Sequence, residues 1–139
     1  MRGRVGAVHP FVDEHAIDIA VGPERAWTAV RAVADRLAGA GRGLPRRLLG
    51  TDPPAGFAVV EASPPHRLEL AGRHRFARYV LAFELDAAGA AATRVRARTY
   101  AAFPGPQGRV YRTLVIGTRL HVLATRRLLG DVRRRALAG

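Results

Sequence analysis

The chain has no cysteine, no lysine and a single serine, Ser63. Without cysteine there is no disulfide framework, no thiolate zinc site and no cysteine nucleophile, which fits a cytoplasmic setting. Ser63 stands directly before Pro64 and Pro65, which argues against acyl transfer through serine. No run approaches the ~20 apolar residues that a membrane span needs. The segment Met1 to Asp13 carries Arg2 and Arg4 but no continuous apolar stretch before His9 and Pro10, so it does not read as a secretory leader. A soluble, unprocessed chain is expected. A phosphate-binding loop is also missing, because Gly39, Gly41 and Gly43 follow a predicted helix instead of opening one.

What is present suits one ordinary domain. The 139 residues are 48% hydrophobic, enough to bury a single core, so one domain over 1–139 is expected, with 1–12 as a flexible arm. The formal charge is +12 and all 23 basic residues are arginine. Such a charge attracts polyanions, and a protein using its basic surface on nucleic acid or anionic membrane is one reading. The choice of arginine over lysine, in a chain rich in alanine, glycine and proline, instead matches a compositional bias, so no specific nucleic-acid partner is expected. His9 and His15 lie beside Asp13 and Glu14, but histidines near acids at a terminus read as solvated. No metal and no cofactor are expected, and the assembly is a monomer or homodimer.

Asp13 to Val21 alternates, with Ile17 and Ile19 on one face, and predicts a strand. Gly22-Pro23-Glu24 opens a helix, since proline suits the first helical position and Glu24 complements the positive end of the dipole. Its stripe is Trp27, Val30, Ala34 and Leu37, and Gly39 and Gly41 end it. From Leu44 to Phe103 the period is two, with turn signals at Thr51 to Pro54, Ser63 to Pro65, His74 to Ala77 and Asp86 to Ala90. Five strands in a meander are predicted, about six in all. In Tyr79 to Leu85 the residues Tyr79, Leu81, Phe83 and Leu85 share the inner face, while Arg78, Val80, Ala82 and Glu84 face outward. Arg67, Glu69, Arg94, Arg96 and Arg98 also face outward, on a solvated surface where acids and arginines can pair. Val95, Ala97, Thr99 and Ala101 face inward.

The last quarter reads as one long helix from Gly105 to Arg135. At about 100° per residue, Val110, Leu114, Gly117, His121, Ala124, Leu128 and Val132 form one stripe, with Arg112, Arg119, Arg126 and Arg133 opposite. His121 is the polar member of that stripe and needs a partner or a wet pocket, since burying it unpaired costs about 1–3 kcal/mol. An antiparallel sheet that is wet on one face must cover the other, and two helices are available to do so. The fold class is therefore α+β, a curved antiparallel sheet around a long C-terminal helix with a short helix after the first strand.

This order of elements resembles the START-like, or helix-grip, superfamily that includes polyketide cyclases, dehydrases and lipid-transport proteins. The resemblance rests on Gly22-Pro23-Glu24-Arg25-Ala26-Trp27, on Gly56 to Glu61, Pro65, Leu68-Glu69-Leu70, Phe83-Glu84-Leu85 and Thr93-Arg94-Val95, and on Phe103-Pro104-Gly105 through Gly108 to Arg112 with His121 beyond. It is similar to a bacterial branch of unassigned function. The resemblance implies a cavity between sheet and terminal helix that holds a hydrophobic or amphipathic small molecule, lipid or polyketide-like. Members either bind and carry such molecules or cyclise and dehydrate them, and the fold does not choose between these.

The small residues Ala97, Thr99 and Ala101 face Gly117 and Ala124, which leaves either close helix–sheet contact or an empty volume. If a cavity exists, Trp27, Leu70, Leu81, Phe83 and Leu114 supply apolar wall, and His74 stands at either its mouth or a solvated turn. His121 is the first polar candidate. By parity Glu61 shares the face of Phe57 and Val59, and Tyr79 adds a hydroxyl. These three are the candidate catalytic residues for acid–base chemistry on an enolisable substrate, or else a hydrogen-bonded polar cluster within the core.

Overall fold

The computed structural model describes residues 9–39, 57–74, 77–113 and 119–138. Alternation at the start of the chain produces β1 (Phe11–Ile19), and Pro23 opens α1 (Pro23–Gly39) with Glu24 in its first turn. Then come β2 (Ala58–Ser63), β3 (Arg67–His74), β4 (Ala77–Ala87) and β5 (Thr93–Ala102), followed by α2 (Gly105–Arg112) and α3 (Leu120–Ala138). The five strands form one antiparallel sheet in the order β1-β5-β4-β3-β2. This is the α+β helix-grip arrangement expected from the sequence. Residues 44–56, where a further strand was expected, lie outside the described residues. β1 begins at Phe11 and so takes in the end of the expected arm.

The core lies between the inner face of the sheet and the two longer helices. From the sheet come Ile19, Leu68, Leu70, Leu81, Phe83, Leu85, Val95 and Ala97, and from α1 come Ala26, Ala29, Val30, Val33 and Ala34. Leu129, Val132 and Ala136 of α3 complete it, with Trp27 and Leu37 partly buried against it. Three bonds lock α3 in place. Arg25 donates to Ala136 O at 2.6 Å, Arg36 reaches Asp131 at 2.6 Å, and Arg133 donates to Asp18 O at 2.8 Å.

The single helix expected from Gly105 to Arg135 is not continuous. Arg119 has φ 62°, a left-handed conformation that a run of α-helix does not admit, and α3 begins only after it. The break shifts the buried stripe, because the phase set by Val110 does not carry through. Val110 is exposed, and the residues of α3 that turn inward are Thr125, Leu129, Val132 and Ala136. Ala124, expected to face the sheet, is exposed.

The outer face of the sheet is also drier than alternation suggests. Val80 and Ala82 stand on it, yet both are buried, as is Glu69. The arginines of this face pair with acids across it, and long arginine stems shield apolar surface while their heads stay paired. Arg67 bridges Glu69 and Glu84, Arg98 joins Glu14 and Glu84, Arg96 reaches Asp86 and Arg94 grips Asp18. Phe11 and Tyr100 pack edge to face at 5.7 Å on the same side.

Candidate functional site

The parity that sends Ile17 and Ile19 into the core also sends Asp13 and His15 to the inner face. Register confirms it, with Asp13 opposite Thr99 and His15 opposite Ala97. One inner row crosses the whole sheet as Asp13, Thr99, Leu81, Leu70 and Val59, and the next as His15, Ala97, Phe83, Leu68 and Ala62. Beyond them Ala101, Tyr79 and Gly72 are aligned. The core packs densely around Phe83 and Val95, whereas Asp13, His15, Thr99, Tyr79, Phe57 and Val59 are only half-buried. Side chains are small at Ala97, Ala101 and Gly72 on this face, and the rings of Phe57 and Tyr79 pack 5.1 Å apart.

His121, in the first turn of α3, closes over this region. Its Nε2 lies 2.6 Å from Asp13 Oδ2, and His15 Nε2 lies 3.0 Å from the same oxygen. A carboxylate only accepts, so each imidazole donates its Nε2–H to Asp13. The side chains of His121, His15 and Asp13 are 15%, 19% and 22% exposed. Thr125 Oγ1 donates to His121 O at 2.8 Å and stiffens that first turn. Two atoms of the cluster, Asp13 Oδ1 and His121 Nδ1, are buried without a hydrogen-bond partner. In a neutral ring, giving Nε2–H to the carboxylate leaves Nδ1 of His121 as an acceptor.

Among the expected site residues, His121 and Tyr79 lie toward the inner side, and Thr99, Ala97, Leu70, Leu81 and Phe83 stand on the inner face. The last four are core residues, and Trp27 packs beside them from α1. Glu61 does not join them. The register shifts between Val59 and Glu61, so Val59 stays opposite Leu70 while Glu61 stands opposite Glu69 on the outer face. A bulge admits one extra residue and so reverses every side chain beyond it. Glu61 instead meets Ser63 Oγ at 3.4 Å. Leu114 and Gly117 lie outside the described residues, and His74 is placed only as the last residue of β3.

Asp13 and His15 are the residues that sequence reasoning passed over, read there as solvated because histidines near acids at a terminus usually are. The signal was available, since they share the parity of Ile17 and Ile19. Among the described residues no group of three or more His, Asp or Glu is arranged to hold a metal ion, and no helix is long and apolar enough to cross a membrane.

No protein-family model matches the chain, and neither does any curated protein. Solved structures do share its fold. Norcoclaurine synthase from Thalictrum flavum, in complex with dopamine and hydroxybenzaldehyde, is 13% identical with a TM-score of 0.56, covering 99% of this chain and 94% of that one. A protein from Thermus thermophilus is 18% identical with a TM-score of 0.54, covering 93% and 98%. A conserved protein from Geobacillus kaustophilus is 14% identical with a TM-score of 0.52, covering 88% and 90%. At these identities the likeness establishes the fold alone, and the fold is the helix-grip.

Proposed function

We propose that this START-like chain binds a small apolar or amphipathic molecule against the half-buried end of the inner face, with the molecule's polar end at Asp13, His15 and His121. The observation that carries the reading is the hydrogen-bonded cluster itself. A carboxylate and two imidazoles, half-buried on the same face as Thr99 and Tyr79, place a few convergent polar groups on an otherwise apolar surface, the usual make-up of a small-molecule site. Norcoclaurine synthase, a neighbour of the same fold, holds dopamine and hydroxybenzaldehyde, which supports the choice of a small organic ligand.

Native mass spectrometry of the purified protein, followed by extraction and identification of any bound compound, tests this directly. A second measurement uses 8-anilinonaphthalene-1-sulfonate as an apolar probe, with backbone amide shifts followed by NMR. Shifts at Ala97, Thr99 and Ala101 are the expected result. A protein that carries no compound, and whose inner-face amides the probe leaves unmoved, would overturn the reading.

One observation favours turnover as a second reading. Asp13 orients His121 so that Nδ1 is the free acceptor, which is how a general base is prepared, and Tyr79 stands on the same face. Cyclisation or dehydration of an enolisable, polyketide-like substrate is the matching chemistry. Replacing His121 with alanine separates the two readings. A carrier keeps its affinity within about tenfold, or ~1.4 kcal/mol, while a general base loses roughly 10²–10⁴-fold in rate.

A further inference from the structure

We infer that the polar end of the ligand is a hydrogen-bond donor, so that a primary ammonium or a hydroxyl binds in preference to a carboxylate. The inference rests on the ligand-binding reading above and narrows it to a class of head group.

It starts from what the cluster leaves unused. Asp13 Oδ2 receives both Nε2–H groups, at 2.6 Å from His121 and 3.0 Å from His15. The carboxylate's other oxygen, Oδ1, and the other nitrogen of the His121 ring, Nδ1, are buried and unpartnered. Oδ1 of the ionised carboxylate is an acceptor, and so is Nδ1 of a neutral imidazole that gives its Nε2–H to Asp13. Two orphaned acceptors in one cluster call for a group with hydrogens to donate. An ammonium brings three and a hydroxyl brings one, whereas a carboxylate brings none.

Charge points the same way. Asp13 brings one negative charge to the inner face, and no arginine occupies an inner position of β1, β3, β4 or β5 among the described residues. Those positions hold Asp13, His15, Ile17 and Ile19 on β1, and Thr93, Val95, Ala97, Thr99 and Ala101 on β5. The arginines of these strands lie on the other side, where Arg94, Arg96 and Arg98 pair with acids. A carboxylate ligand would thus meet a like charge and no inner-face guanidinium. The molecule as a whole differs, because a formal charge of +12 favours anions everywhere else. At physiological salt that wider field fades over about 8 Å, so a preference for a cation must arise at the cluster.

The test compares three probes with one apolar body: 2-(2-naphthyl)ethylamine, 2-(2-naphthyl)ethanol and 3-(2-naphthyl)propanoate. Affinities are measured by calorimetry in 0.15 M salt, and NMR locates each probe through the Thr99 amide and the His121 ring. The amine is expected to bind at least tenfold tighter than the carboxylate, with the alcohol between them, and Asp13→Asn is expected to remove most of the amine's advantage. Equal or tighter binding of the carboxylate at the same amides overturns the inference while leaving the ligand-binding reading intact. If Asp13→Asn folds and keeps the ranking, the discrimination lies elsewhere and the inference also falls. Should no probe move Thr99 or His121, the inference falls, while the ligand-binding reading stands or falls on its own test above. The wild-type ranking is decisive by itself, so the test does not depend on the variant folding.

Discussion

Asp13 Oδ2 and His121 Nε2, 2.6 Å apart and 108 residues distant in sequence, tie the edge strand β1 to the first turn of α3. The bond fixes where the helix starts over the sheet, just after the left-handed Arg119. Replacing Asp13 with alanine removes the acceptor that both His121 and His15 use. A hydrogen bond to a charged group is worth about 1.5–3 kcal/mol, so Asp13→Ala is expected to destabilise by about that amount in urea unfolding. A double-mutant cycle with His121→Ala should return a coupling of about 0.5–3 kcal/mol. Coupling near zero would mean that the contact contributes nothing in solution.

On the opposite face, Arg67 and Glu69 form a pair in which the Glu69 side chain is wholly buried. Removing one member of a buried pair strands the other charge and costs about 3–5 kcal/mol, whereas replacing both with apolar residues of similar volume is often neutral. Arg67→Ala should therefore lower the unfolding midpoint sharply, and Arg67→Met combined with Glu69→Leu should recover most of the loss. Recovery that fails would show that Glu84, which Arg67 also holds, depends on the guanidinium as well.

The regular elements were legible because their alternation is uninterrupted. Tyr79 to Leu85 reads directly as β4, and Pro23-Glu24 reads as the start of α1. The departures occur where one residue changes the count. The extra residue between Val59 and Glu61 sends Glu61 to the outer face, and no feature of Val60 announces a bulge. Arg119 interrupts a helix that hydropathy alone makes continuous, so the stripe through Ala124 gives way to one through Thr125. Half of the candidate site was readable in His121, and the other half was visible in parity but discounted through its position near the end of the chain. The pairing of Asp13 with His121 is a tertiary contact that no local pattern encodes.

Asp18 links the outer face to pH. Arg94 holds both of its carboxylate oxygens, at 2.8 and 3.1 Å. That hydrogen-bonded guanidinium keeps the Asp18 carboxyl below its ordinary range, while Asp18 in turn raises Arg94. A carboxyl whose folded pKa is depressed contributes stability that is present above its unfolded value and is lost as pH falls through the folded one. Thermal unfolding followed below the usual carboxylate range should thus show a decline that Asp18→Asn reduces. The pair is exposed, so the difference should be small and should shrink further in high salt. A larger effect in high salt would contradict the assignment.

Gly108 sets two general effects against each other. It lies inside α2, where alanine is favoured over glycine by about 1 kcal/mol, and on propensity alone Gly108→Ala should stabilise the protein. A Cβ at this position would stand 2.6 Å from Phe103 C and 2.8 Å from Phe103 O. Those are backbone atoms and cannot swing aside as a flexible side chain would, so α2 or the segment before it must move. Overpacking of this kind costs about 1–3 kcal/mol, which outweighs the gain in propensity. Gly108→Ala is therefore expected to lower the melting temperature, with amide shifts concentrated at Phe103 and along α2. A variant more stable than the parent, with Phe103 unmoved, would show that the close approach of α2 to Phe103 does not hold in solution.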